Sequence, residues 1–253
     1  MELGLQGKSA LVMASSKGLG RAVALELAQE GCEVLICGRD LTALKETADH
    51  IVKSTGTKAH FVVGDITQLE ERDHICEEAK NKFGTVDILV TNTGGPPPGP
   101  FEVHDRKAWE TAYRSLVESA VEMIRSVVPG MKAQNWGRII MVTSQAVRQP
   151  VEGLVLSNAL RGALTGLMKT LANELGPYQI TVNNVLPGYT RTERLTKLIE
   201  TNPKYGEAVN EIPLGRFGEV AEFGAAVAFL ASQKAAYITG ISLPVDGGWI
   251  KGI

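Results

Sequence analysis

The chain has 253 residues, a net charge of -2 at neutral pH and a hydrophobic fraction of 44%. A chain of this size buries enough apolar surface to fold without disulfides or metal ions, and its charge lacks the basic footprint of a nucleic-acid-binding protein. It has neither an apolar run long enough to predict a membrane span nor the start typical of a secretory signal peptide. Its three cysteines lack metal-ligand spacing, so we expect a cytoplasmic protein with one domain over residues 1–253 and no metal.

Short apolar runs alternate with segments of helical periodicity along the chain. Strands are predicted at residues 8–13, 33–37, 60–63, 86–90, 138–143, 180–186 and 241–245. Helices are predicted at residues 18–30, 40–53, 68–83, 104–132, 154–175 and 219–231, with a mobile helical excursion over 192–210, inside a substrate loop near 189–215. This alternation indicates an α/β fold, a doubly wound (Rossmann) parallel sheet of about seven strands with helices on both faces.

The turn after the first predicted strand is rich in glycine and hydroxyl groups. Its residues are Ser15, Ser16, Lys17, Gly18, Leu19 and Gly20. Glycines let the backbone approach a pyrophosphate, and the N-terminus of the next helix offers free N–H groups and a partial positive charge. The two serines add hydroxyl donors and the lysine adds a cation. Because the turn opens a βαβ unit, it predicts a dinucleotide phosphate site, although such glycines also serve turns that only pack helix on strand.

The end of the second predicted strand indicates which dinucleotide binds. A fold that prefers NAD places Asp or Glu there for the ribose 2′-hydroxyl, whereas this strand is followed by Arg39. A guanidinium can form a bidentate pair with a 2′-phosphate. Asp40 could instead be the N-cap of the next helix. Lys17 and Arg39 together therefore favour NADP(H) over NAD(H), although Arg39 could also be a solvated surface residue.

Further motifs follow in a fixed order along the chain. They are Asp65 after the third strand, Thr91-Asn92-Thr93-Gly94 after the fourth, Ser144 after the fifth, Pro187-Gly188 with Thr192 after the sixth, and Asp246-Gly247-Gly248 near the end. In this order and spacing the chain resembles the short-chain dehydrogenase/reductase family, and it is most similar to the 3-oxoacyl-acyl-carrier-protein reductase branch.

The resemblance implies a role for each matching position. Asp65 and Ile66 would lie at the adenine, and Asn92 and Gly94 beside the adenosine ribose. The loop at the nicotinamide would consist of Pro187, Gly188, Thr190 and Thr192. Its two threonines would hold the carboxamide. The family also implies a small carbonyl or acyl substrate and a homotetramer, or at least a homodimer.

The catalytic positions depart from the family's pattern. The family places a Tyr some thirteen residues after its Ser and a Lys four residues further. Counting from Ser144 reaches Ser157 and Arg161, and no Tyr lies between Ser144 and Lys169. The family's helix Asn falls on Leu116, so only Ser144 of the four catalytic positions is retained.

The replaced pair still offers some chemistry. Ser157 and Arg161 lie four residues apart, so they share one face of a helix. Arg161 can grip ribose hydroxyls and supply positive charge, but a guanidinium does not exchange protons near neutrality. Ser157 is too short to reach where a phenol would be. We therefore expect Ser144 and a water held at Ser157 and Arg161 to support the oxyanion, unless Ser157 is only a small helix residue and Arg161 a structural or interface cation.

Other residues have two interpretations each. Tyr189 is either a replacement proton donor or, as we favour, an apolar lid over the nicotinamide, and Tyr113 is expected in the core. His104 and Arg148 either meet an anionic substrate or, as we favour, only face solvent. The Pro96-Pro97-Pro98 loop is expected to form a stiff apolar wall at the substrate entrance. Ala14 replaces the family's usual glycine, which is tolerable if its φ is negative.

Two function classes remain open. The first is an NADP(H)-dependent oxidoreductase of 3-oxoacyl-reductase type with an atypical active site. The second is a catalytically silent NADP-binding sensor or scaffold. A third possibility is reduction of an activated C=C bond with a proton from substrate or solvent. Retained Ser144 favours chemistry, because a pure binding module has no need of it.

Overall fold

The computed structural model describes residues 2–252. One sheet contains seven parallel strands in the order β3-β2-β1-β4-β5-β6-β7. The strands are β1 (Ser9–Val12), β2 (Glu33–Gly38), β3 (Ala59–Val63), β4 (Ile88–Thr91), β5 (Gly137–Val142), β6 (Ile180–Pro187) and β7 (Ser242–Val245). The order reverses between β1 and β4, which opens a crevice at the carboxyl ends of these strands, where doubly wound sheets bind ligands.

Nine α-helical segments accompany the sheet over residues 2–252. They are α1 (Gly18–Gln29), α2 (Leu41–Thr55), α3 (Leu69–Phe83), α4 (Arg106–Tyr113), α5 (Ser119–Ala133), α6 (Val155–Leu175), α7 (Glu193–Thr201), α8 (Lys204–Glu207) and α9 (Val220–Ala231). Local signals place their ends. The Asp40 side chain caps α2 by accepting from the Ala43 N–H at 3.1 Å, and Gly56 ends α2 with φ +71°, a conformation that glycine adopts readily.

Two apolar cores lie on opposite faces of the sheet. Buried side chains of α1, α2 and α9 pack against one face, and those of α3, α5 and α6 pack against the other. Strands β1, β4 and β5 are buried along their whole length. A strand that is covered on both faces is a nearly continuous apolar run, which is why these strands were recognisable in the sequence. The predicted doubly wound α/β fold is confirmed.

The long helix predicted at residues 104–132 is interrupted. A π-helical turn, Arg114–Glu118, separates α4 from α5. Ala112 and Leu116 are the buried residues on this stretch and lie four apart, so they share the face that packs inward, and Tyr113 does not. Tyr113 is consequently 49% exposed, and its prediction as a core residue is wrong. Its neighbour Trp109 is only partly buried.

The segment predicted as a helical excursion is helical. It contains α7, α8 and the 3₁₀ turn Ala208–Glu211, while its mobility stays a prediction. Within residues 2–252, no helix combines the length and apolar character needed to cross a membrane.

Candidate active site

The glycine turn between β1 and α1 is shaped by close packing. Gly18 has φ +57°, which favours glycine. A Cβ on Gly20 would lie 2.5 Å from the Ala14 carbonyl oxygen and 2.8 Å from Asn92 Nδ2. The same amide donates to the Ala14 oxygen at 3.1 Å, so the end of β4 is tied to the turn. Gly20 is thus the position at which only glycine fits.

Two expectations about this turn need correction. The Ser15 hydroxyl donates to the Val12 carbonyl at 2.6 Å and accepts from the Cys37 N–H at 3.2 Å. Its single proton is therefore committed to joining β1 and β2, and it is not a free phosphate donor. Ala14 has φ +45°, so the condition under which it would be unstrained is not met. An alanine in this region costs roughly 1–2 kcal/mol.

Arg39 and Asp65 meet beyond the ends of β2 and β3. Arg39 Nη1 lies 3.7 Å from Asp65 Oδ2, and the arginine side chain is 79% exposed. Ser16 also points to this end, with its hydroxyl 3.3 Å from where a Cβ on Gly38 would lie. Ile66 is fixed nearby because its carbonyl accepts from Arg72 at 2.9 Å. A guanidinium that is free to turn toward solvent is available to an anion at this end of the sheet.

A cavity of about 160 Å³ runs from the glycine turn along the ends of β4, β5 and β6. The predicted site residues that line it are Leu19, Asn92, Ser144, Ser157, Arg161, Pro187, Gly188, Tyr189, Thr190 and Thr192. Apart from its chain neighbours, no atom of residues 2–252 lies within 4 Å of where a Cβ on Gly94 would be, so Gly94 borders open space. The Thr192 methyl group lies 3.7 Å from where a Cβ on Gly18 would point, which joins the β6 loop to the turn.

Two buried polar atoms of the cavity lining have no hydrogen-bond partner within residues 2–252. They are Thr143 Oγ1 and Gln145 Oε1. Leaving a buried polar atom unpaired costs about 1–3 kcal/mol. A polar ligand in the cavity would remove that cost, so this lining, together with the open glycine edge, fits the nicotinamide end of a dinucleotide.

Ser144 caps the 3₁₀ turn Gln145–Val147. Its Oγ accepts from the Ala146 N–H at 3.1 Å, and this is its single hydrogen bond among residues 2–252. The hydroxyl proton is therefore available to a group in the cavity. Ser157 is buried in the same lining, one turn before Arg161 on α6.

Arg161 is enclosed by the protein and held on one side. It is 7% exposed, its Nη1 donates to the Val142 carbonyl at 2.9 Å, and its Nη2 lies 3.5 Å from Thr93 Oγ1. Burial, aided by the nearby charge of Arg194, lowers the pKa of Arg161 to about 10. The side chain still carries its proton at neutral pH, so it is a fixed positive charge.

Arg194 is a second arginine of this cavity, and the sequence analysis missed it. It lies near the start of α7, with its guanidinium against the Gly95 backbone and Nη2 donating to the Pro96 carbonyl at 3.3 Å. Its position two residues after Thr192 was the available signal. Gln145, Thr143 and Thr93 were also missed, and each directly adjoins a residue that was singled out.

Tyr189 packs with aromatic side chains. Its ring lies 5.7 Å from the Trp249 ring and 6.4 Å from the Phe217 ring. Burial, with smaller effects from Glu211 and Tyr205, raises the pKa of Tyr189 to about 12. A phenol with a raised pKa releases its proton less readily, so the environment favours the lid over the proton donor.

The proline segment differs from its expected role. Of residues 94–100, Gly95 lines the cavity, whereas Pro97 and Pro98 face solvent, so the apolar proline wall is wrong. Its backbone is tied by Gly99 N–H donating to the Gly153 carbonyl at 2.6 Å.

The remaining two candidates do not line this cavity. His104 is half-buried, and among residues 2–252 its Nε2 atom is buried near Gly99 without a hydrogen-bond partner, so that part of the ring does not face solvent. Arg148 is exposed and donates to the Ser242 carbonyl at 3.1 Å.

The chain is similar to known reductases over nearly its whole length. A family model described as enoyl-(acyl carrier protein) reductase matches residues 13–250. A 3-oxoacyl-[acyl-carrier-protein] reductase of Aquifex aeolicus is 36% identical over 249 residues, 98% of this chain and 99% of the relative. The NADPH-dependent reductase BacG of Bacillus subtilis is 28% identical, over 97% and 99% of the two chains. The structure of L-sorbose reductase from Gluconobacter frateurii, complexed with NADPH and L-sorbose, superposes with a TM-score of 0.93 at 31% identity, over 100% of both chains.

Proposed function

The chain belongs to the short-chain dehydrogenase/reductase family, and we propose that this oxidoreductase uses NADP(H) and works without the family's tyrosine and lysine. Its substrate is a small molecule with a carbonyl or an activated C=C bond. The matching family model is an enoyl-(acyl carrier protein) reductase, and the Aquifex aeolicus relative is a 3-oxoacyl-[acyl-carrier-protein] reductase, so both acceptor types are represented among similar proteins. The single observation that carries the proposal is the free Ser144 hydroxyl proton beside the fixed charge of Arg161 in one cavity.

The cofactor assignment rests on both ends of the site. NADPH would supply the hydride when bound. Arg39 and Lys17 would meet its 2′-phosphate, and the α1 N-terminus with Ser16, Gly18, Leu19 and Gly20 would hold the pyrophosphate. Asp65 and Ile66 would contact the adenine, Asn92 and Gly94 the adenosine ribose, and the β6 loop residues Pro187, Gly188, Thr190 and Thr192 the nicotinamide. The relatives that are described with NADPH support the same choice.

Ser144 and Arg161 divide the work at the reacting carbonyl. Ser144 donates a hydrogen bond to the oxygen as negative charge develops on it. Arg161, held by the Val142 carbonyl, holds the nicotinamide ribose and adds positive charge on the same side. Ser157 leaves space for a water that passes a proton to that oxygen. Tyr189 closes the cavity as an apolar lid.

The missing acid limits the rate without abolishing the reaction. General acid catalysis typically accelerates a reaction about 10²–10⁴-fold, which corresponds to roughly 3–5 kcal/mol of the activation free energy. Holding the two reactants together in the right geometry can lower the activation free energy by about 7–11 kcal/mol. The second contribution remains wherever cofactor and acceptor bind side by side, so turnover persists at a reduced rate.

The assembly and compartment follow the family. We place a second copy of the chain on the α4–α6 face, in a homotetramer or homodimer, because Phe101, Val103 and Tyr113 are exposed apolar side chains there. The three cysteines are free, which supports the expected cytoplasmic location. The chain acts as one domain, with a mobile substrate loop near residues 189–215.

A panel of acceptors tests the proposal. Ketones, enones and acyl thioesters are incubated with NADPH, and cofactor oxidation is followed for the wild type and for Ser144→Ala. We expect measurable turnover that falls roughly 100-fold in the variant, the usual cost of one oxyanion donor. Tight NADPH binding without turnover on every acceptor would instead identify a silent NADP-binding sensor or scaffold, a role that the absent phenol favours.

A further inference from the structure

The cavity beside Ser144 has an unbalanced charge. Among its described lining residues, Arg161 and Arg194 are the charged ones, and no lining residue is acidic. Neither guanidinium takes part in any ion pair of residues 2–252. Arg161 is buried, and withdrawing its charge from water without a partner is costly. Two cations around one small cavity therefore make it an attractive place for an anion.

Arg194 has most of its donors free. Of the five N–H groups of its guanidinium, one donates to the Pro96 carbonyl. A Cβ on Gly95 would overlap the Arg194 guanidinium, so the glycine at position 95 makes room for that group. Part of the side chain remains exposed. Arg194 therefore lies at the mouth of the cavity, whereas Arg161 lies inside it.

The contacts of Arg194 lie on the Gly95–Pro96 segment. Thr192 faces the glycine turn, and residues two apart at the start of a helix do not face each other. Arg194 accordingly turns to Gly95 and Pro96. The α7–α8 segment is further joined to the loop before α6, because the Tyr205 hydroxyl donates to the Glu152 carbonyl at 3.4 Å. The hydrogen bond and the backbone contact of Arg194 therefore both lie outside the turn that would hold the pyrophosphate.

We propose that Arg194 at the cavity mouth, with the charge of Arg161 behind it, binds a carboxylate of the substrate, so that the enzyme selects oxo acids over neutral ketones. A guanidinium recognises a carboxylate through two parallel hydrogen bonds, and Arg194 has the free donors to form them. The inference deepens the proposed function and rests on it for the reaction itself. The carboxylate orients the acceptor relative to Ser144.

Matched acids and esters test the proposal. Binding of 2-oxohexanoate, 4-oxohexanoate and 5-oxohexanoate, each with its methyl ester, is measured by calorimetry on the free protein and with saturating NADPH. We expect at least one acid to bind tenfold or more tighter than its ester to the wild type. Arg194→Gln should weaken that acid about 30-fold, the lower range for removing one partner of a charged pair, and should leave the ester unchanged.

Two further variants make the test specific. Arg194→Lys keeps the positive charge but cannot form two parallel hydrogen bonds to a carboxylate, so this variant should retain part of the preference for the acid over the ester. Arg106→Gln is the matched control, because Arg106 is an exposed arginine on α4 that pairs with Glu110, and it should change nothing. Thermal unfolding of each variant shows that it is folded.

The outcomes separate this inference from its premise. Equal binding of acid and ester by the wild type, or equal loss of both in Arg194→Gln, would overturn the carboxylate site while leaving an NADPH-dependent reductase intact. A fall in affinity for 2′-phospho-ADP-ribose that matches the fall for the acid would assign Arg194 to the cofactor pyrophosphate instead. If the wild type does not bind NADPH, the proposed function fails, and titration of the free protein still decides the carboxylate site.

Discussion

Two halves of the candidate site differ in how closely they follow the family. The cofactor half consists of the glycine turn with the ends of β2, β3 and β4, and the reaction half consists of Ser144, Ser157, Arg161 and the loop after β6. In the function we propose, the cofactor half keeps most of the residue types that the resemblance implies, and backbone geometry dominates there. In the same proposal the reaction half keeps one catalytic position of four. The proposed function therefore retains a cofactor scaffold while the proton chemistry beside it changes.

The largest expected effect is a loss of NADPH affinity when Gly20 in the cofactor half is replaced. A Cβ there meets the Ala14 carbonyl at 2.5 Å, so Gly20→Ala must displace the turn. Overpacking of this kind costs typically about 1–3 kcal/mol, and strain near the upper figure lowers NADPH affinity by roughly 100-fold. Fluorescence titration with NADPH measures the effect.

A second glycine provides the control. Gly176 has φ -53° and no atom within 4 Å of its Cβ direction. Gly176→Ala should leave NADPH affinity unchanged and raise the free energy of unfolding by about 0.4–1 kcal/mol. Unchanged NADPH affinity in Gly20→Ala would remove the turn from the cofactor site.

An intermediate effect on NADPH affinity is expected for Arg39, at the other end of the cofactor half. Removing a hydrogen-bond partner of a charged group costs about 1.5–3 kcal/mol, so Arg39→Ala should weaken NADPH binding roughly 10- to 100-fold. NADH, which lacks the 2′-phosphate, should bind almost as before. Arg125→Ala is a matched control, since Arg125 is an exposed arginine that pairs with Glu122. Equal losses for the two cofactors would contradict the assignment of Arg39.

The parts of each half that are fixed by local sequence patterns could be predicted, and the parts that are fixed by contacts between distant segments could not. The strands, the glycine turn and Arg39 follow from local patterns, because apolar runs and glycines report backbone structure directly. Ser15 was misread because its hydroxyl joins β1 to β2, a contact between segments that are distant in the chain. Arg194 was missed for the same reason, since its importance depends on Gly95, 99 residues earlier in the chain.

The smallest expected effect concerns strain at Ala14. With φ +45°, alanine is disfavoured by roughly 1–2 kcal/mol, while glycine gives the unfolded chain about 0.4–1 kcal/mol of extra freedom. Ala14→Gly should therefore raise the free energy of unfolding by about 0.5–1 kcal/mol, measured by urea denaturation. Asn135→Gly is the comparison, because Asn135 has φ +53° but asparagine tolerates this region, so its change should be near zero. A destabilised Ala14→Gly would show that the turn is not strained there.

The pH dependence of turnover tests the absence of a titrating acid in the reaction half. Burial holds the pKa of Arg161 at about 10 and raises the pKa of Tyr189 to about 12, so both keep their protons from pH 7 to pH 9. With saturating NADPH and a neutral, non-titrating acceptor, kcat should be constant over this range. Because a Tyr189 acid with this raised pKa would also give a flat profile, the deciding comparison is the value of kcat in Tyr189→Phe, with exposed Tyr178→Phe as its control. We expect kcat to be unchanged in both variants. A kcat that falls about 100-fold or more in Tyr189→Phe alone, the usual cost of losing a general acid, would show that Tyr189 is the acid and would contradict the account.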